Sequence, residues 1–143
     1  MPIVGFHIKS ISAKRKTVPK GRIDINSTPK IVSVTKSKVG LKKKEDSLNI
    51  SFEFTTEYKP GIAEIKMIGN VMYLGNKVKI GVNMWKKEKK LPREIEVEVK
   101  NFLFRKCLSI GIDLSEQMNL PPPLLFPRII PKKEREADLR YIG

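Results

Sequence analysis

The stretch Leu48-Asn49-Ile50-Ser51-Phe52-Glu53-Phe54-Thr55-Thr56-Glu57-Tyr58 decides the fold. Leu48, Ile50, Phe52, Phe54 and Tyr58 fall on one side of a period-two pattern, with Asn49, Ser51, Glu53 and Glu57 on the other. An extended chain sends successive side chains to opposite faces, so the alternation predicts a strand with one buried face. Lys59-Pro60-Gly61 is a turn signal. Beyond it, Ile62 to Leu74 places Ala63, Ile65, Met67, Val71 and Tyr73 on one face against Glu64, Lys66 and Asn70 on the other. Gly69 in that run predicts a bulge or the close approach of another backbone.

Working outward, Ile3 to Ile11 reads as an imperfectly alternating strand carrying Ile3, Phe6 and Ile8. Arg22 to Asn26 alternates until Ser27-Thr28-Pro29 breaks it, and Ile31 to Val34 resumes a short strand. Downstream, Gly75-Asn76 turns the chain, and Val78, Ile80 and Val82 suggest a further strand over Lys77 to Trp85. Together these segments read as an antiparallel meander with one apolar face.

From Pro92 the period changes. Proline suits the first helical position, and Glu94, Glu96 and Glu98 complement a helix N-terminus. Ile95, Val99, Phe102, Leu103, Lys106 and Ile110 are three or four residues apart, a helical stripe running to about Met118. Ile95, Val97 and Val99 also alternate as a strand would, and Gly111 could weaken or bend the helix. Pro121-Pro122-Pro123 ends it, and Leu124-Leu125-Phe126-Pro127 is an apolar return that needs a packing partner. Strands followed by a long helix argue an α+β fold: an antiparallel sheet of about four strands under one long C-terminal helix. The 143 residues make one domain, 1–143, with 131–143 as a charged tail.

Of the net charge of +14, residues 1–44 supply +11, with twelve Lys/Arg against Asp24 alone. Such a balance suits an anionic partner, RNA or an acidic protein surface. Lysine-rich solubility in a heat-adapted organism is the plainer explanation, but it predicts matching Glu, which the first third lacks. The lone Cys107 forms no internal disulfide, so a reducing, cytoplasmic setting is expected. No run approaches the roughly 18 apolar residues of a membrane helix, so no membrane insertion is expected, and Met1 to Ser10 does not read as a signal peptide.

Catalytic chemistry is hard to assemble from these residues. His7 is the single histidine and sits in a strand-like stretch without a companion motif. Cys107 reads as a small buried hydrophobe. The glycines form no phosphate-binding loop, and no metal, cofactor or catalytic residue is expected. Two surfaces stand out instead. One is basic: Lys14, Arg15 and Lys16 with Lys42, Lys43 and Lys44, an anion-binding set without aromatic interleaving. The other is apolar: the strand aromatics and methionines with Leu124, Leu125 and Phe126. Core packing explains most of them, but Met84 and Trp85, beside a lysine run, fit a core least well.

The pattern resembles the SecB-like protein-export chaperones. The resemblance rests on INSTPKIVSV (25–34), on LNISFEFTTEYKPGIAEIKMIGNVMYLG (48–75), and on EIEVEVKNFLFRKCLSIGIDLSEQMNLPPPLLFPRI (94–129) with its Leu120-Pro121-Pro122-Pro123 and Phe126-Pro127 ending. It implies a four-stranded antiparallel sheet backed by a long helix, a homo-oligomer (dimer or tetramer), and grooves that hold unfolded or nascent polypeptides without ATP. On the matching positions the peptide-binding residues would be Phe52, Phe54, Ile65, Met67, Val71, Tyr73, Leu124 and Phe126. One departure is plain: the bacterial export chaperones are acidic and dock on a translocation ATPase, whereas this chain is basic. An archaeal, toxin–antitoxin-linked or ribosome-associated relative fits that charge better. The alternative reading is a basic RNA- or ribosome-associated protein anchored by the first 44 residues.

Overall fold

The computed structural model describes residues 3–18, 20–39, 45–124 and 129. Lys42, Lys43, Lys44, Phe126 and the 131–143 tail lie outside them. Four strands, β1 (Ile3–Arg15), β2 (Asp24–Val39), β3 (Glu45–Lys59) and β4 (Ala63–Leu74), precede helices α1 (Val78–Glu88) and α2 (Arg93–Gln117). The fold is α+β: a four-stranded antiparallel sheet with both helices on one face.

The alternation of β3 sets the layers. Leu48, Ile50, Phe52 and Phe54 are fully buried beneath the helices, and Ile65, Met67 and Val71 of β4 join them. Each such side chain stabilises the fold by roughly 1.5–3 kcal/mol through lost apolar exposure. From α2 come Ile95, Val99, Phe102, Leu103, Cys107, Gly111 and Ser115. The expected stripe is correct as far as Leu103 and then drifts: Lys106 is exposed and Ile110 only partly buried. The buried line continues on Cys107, Gly111 and Ser115, small residues that let the helix lie close to the sheet. The helix runs unbroken through Gly111.

The strand order is β1-β4-β3-β2, so β2, β3 and β4 form a meander while β1 crosses to the far edge. The expected break at Ser27-Thr28-Pro29 does not occur. β2 runs straight through, with Pro29 opposite Phe54 and a register shift between Ile31 and Ser33. Proline lacks a ladder donor and is tolerated here because β2 is an edge strand. Gly69 meets the expectation made for it. It pairs with Ile8 beside a shift in β1, and a Cβ there would lie 2.1 Å from the His7 carbonyl oxygen.

Lys77 to Trp85 is helix and not strand. Val78 and Gly81 are buried and Val82 and Trp85 half-buried, a spacing of three and four, while Ile80 faces solvent. At Gly81 α1 lies close to the sheet: a Cβ there would stand 2.9 Å from Leu48 Cδ1, the end of a flexible side chain. Pro92 caps α2 one position ahead of its first helical residue, and Glu94 and Glu96 occupy the first turn. The return segment is anchored as it leaves α2. Tyr58 Oη donates to the Pro121 carbonyl at 2.7 Å, and Arg15 Nη1 donates to the Met118 carbonyl at 3.1 Å. Among the described residues, no helix is long and apolar enough to cross a membrane.

Candidate functional site

The six strand positions expected to bind peptide lie together on one surface, and α2 covers it. Phe52, Phe54, Ile65, Met67 and Val71 are at most 1% exposed and Tyr73 is 7% exposed. In the single chain they are the core.

The open apolar surface lies one layer higher. Phe104, Leu108 and Ile112 recur every four residues along α2, about one helical turn apart, so they form a second stripe beside the buried one. With Leu124 from the return segment they line a groove of about 400 Å³, edged by Arg105 and Ser109. Its floor meets the core directly: Phe104 stands edge-on to Phe54 with ring centroids 5.7 Å apart. Leu124 is thus the one expected residue, among those described, that sits in the open groove; it is 43% exposed. The signal for the other three was present in the sequence as a second four-residue spacing.

The basic N-terminal run does not form one patch. Strand geometry sends Lys14 toward Glu64 on the sheet's outer face and Arg15, paired with Ala63, to the inner one. Arg15 donates to the Met118 carbonyl, and Lys16 Nζ lies 3.8 Å from Glu64.

Burial pushes the Cys107 thiol up to about 12, so it stays protonated and is no nucleophile near neutral pH. Burial also raises the Tyr58 phenol, and raises that of Tyr73 together with neighbouring Glu98. His7 is exposed on the outer face, opposite Asn70. Among the described residues, no group of three His, Cys, Asp or Glu side chains could hold a metal ion.

No protein-family model and no curated protein matches the sequence. Among solved structures, the chain is similar to the Rv1957 SecB-like chaperone of Mycobacterium tuberculosis, in complex with a ChAD peptide from the HigA1 antitoxin. The TM-score is 0.51 at 12% identity, over 90% of this chain and 88% of that one. The fold is SecB-like. At that identity the likeness speaks for architecture, and this chain's own groove must carry the rest.

Proposed function

We propose that the chain is a chaperone of the holdase kind, binding apolar segments of non-native polypeptides without nucleotide, cofactor or catalysis. The observation that carries the reading is the open groove of Phe104, Leu108, Ile112 and Leu124 on a SecB-like sheet-and-helix scaffold. An extended client segment entering it would bury apolar surface worth about 25 cal/mol per Å². Phe52 and Phe54 serve as the packed floor, and a small shift of Phe104 would extend the apolar surface down to them. A cytoplasmic location and a role in protein export belong to the same proposal. So does assembly into a dimer or tetramer, which the exposed apolar residues Val4 and Ile11 on edge strand β1 support.

The test is the aggregation of a chemically denatured reporter, followed by light scattering without ATP. The chain should delay aggregation at stoichiometric ratios. A Leu108→Asp/Ile112→Asp variant should lose that effect while keeping its circular dichroism and melting profile. No delay even at molar excess overturns the reading, as does full protection by a folded double variant.

A further inference from the structure

A second concave site lies at the opposite end of the helical layer, where β2 meets the α1–α2 connection. Thr28, Pro29, Lys30 and Ile31 form one wall, and Trp85, Lys89, Lys90 and Leu91 another. Glu96 and Lys100 close it, enclosing about 290 Å³. Four lysines from three separate parts of the chain therefore converge on the only tryptophan in the protein. One carboxylate faces them, and Glu96 Oε1 is already bound by Lys100 Nζ at 2.8 Å.

Complementing the helix dipole explains Lys86 and Lys87 in the last turn of α1, which do not line the site, but not Lys30 on β2 or Lys90 beyond the helix. Core packing explains part of Trp85, yet it is half-buried and lines the cavity. Lys89 is the sharper clue. It terminates α1 at φ 57°, its N–H bonded to the Trp85 carbonyl at 2.9 Å. Glycine is the usual residue in that left-handed conformation, because a Cβ is strained there. A lysine held there lines the same cavity as the indole.

We propose that this site binds single-stranded RNA, one base stacked on Trp85 and the flanking phosphates held by Lys30, Lys89, Lys90 and Lys100. An aromatic platform with surrounding cations is how single strands are held without sequence preference, since every base has a flat π-face. An acidic peptide would satisfy the lysines but leave the indole without a stacking partner. The Glu96 carboxylate repels phosphate, yet it can accept a hydrogen bond from a ribose 2′-hydroxyl, which DNA lacks. The site is separate from the groove on α2 and independent of the chaperone reading.

The single tryptophan makes the experiment direct. Its fluorescence is followed as the intact protein is titrated with an oligouridine, the matching oligodeoxythymidine, and polyglutamate. The expected result is saturable quenching by RNA, weaker by DNA and absent with polyglutamate. The RNA affinity should fall with salt at a logarithmic slope of about −2 if three phosphates are neutralised. Followed by anisotropy of a labelled oligouridine, Trp85→Ala should weaken binding about tenfold and Trp85→Phe less, as loss of base stacking predicts. Lys89→Ala/Lys90→Ala, at exposed positions that leave packing intact, should flatten the salt slope. No quenching by RNA, equal binding by DNA or polyglutamate, or unchanged affinity in the folded lysine variant overturns the proposal.

Discussion

Two glycines that look alike in the sequence do opposite work. At Gly69 a methyl group would meet the His7 carbonyl, which belongs to a paired strand and has nowhere to go. Gly69→Ala should therefore cost about 3 kcal/mol or more in urea denaturation and loosen β1 from β4. At Gly81 the clash is with the tip of Leu48, which can rotate. There the strain of about 1 kcal/mol is offset by alanine's better helix propensity, also worth about 1 kcal/mol, so Gly81→Ala should leave the midpoint nearly unchanged. Cys107 supplies a pH dependence. Its folded thiol titrates near 12 against the ordinary 9.0, so the unfolded chain loses its proton first. Stability should be unaffected below about pH 9 and fall as pH rises toward 12, with a shallower fall in Cys107→Ala. At this scale, Gly69 and Cys107 were legible because each carried a local signal. The cavity that Trp85 and Lys89 line was not, since Lys30 and Lys100, which complete it, lie more than ten residues away along the chain.

Among the elements, β3, β4 and the first half of α2 could be read from period alone, because each packs one clean face against the core. α1 defeated the same reading. Val78, Ile80 and Val82 alternate as a strand does, and one of the positions α1 buries, Gly81, has no side chain to show in a hydrophobic pattern. The distinction is measurable. A strand would present residues 78, 80 and 82 equally, whereas in the helix Val78 is buried and Ile80 is 58% exposed. Val78→Lys should destabilise the fold by several kcal/mol as a buried unpaired charge, and Ile80→Lys should stay within about 0.5 kcal/mol. β2 reads as two strands in the sequence because nothing local shows that Pro29 sits on an edge strand, where proline is tolerated. Likewise the second stripe of α2, Phe104, Leu108 and Ile112, is masked in the sequence by the buried stripe, which alone accounts for a helix.

For the whole molecule, the two proposed binding surfaces are driven by different forces and should respond differently to their surroundings. Client holding, as proposed, would rest on apolar burial and should survive high salt, whereas the proposed RNA binding would rest on released counterions and should not. Measuring both on one preparation across a salt series should separate them, and a parallel decline would place clients and RNA on one surface. The architecture of sheet under helix was legible from residues 48–75 and 93–103, where burial and sequence period coincide. The position of β1 was not, since adjacency in the chain suggested a meander and the sheet places β1 and β2 at opposite edges.

That strand order sets a delay in biosynthesis. Ile3 pairs with Tyr73 and Ala13 with Ile65, so β1 is synthesised long before β4, its neighbour in the sheet among the described residues. At about 5–20 residues per second, the roughly 70 residues separating Ile3 from Tyr73 take about 4–14 s to synthesise. Throughout that interval Phe6 and Ile8 lack the β4 residues, Val71 and Gly69, that they pair with. A chain proposed to shelter unfinished proteins spends its own first seconds as one of them.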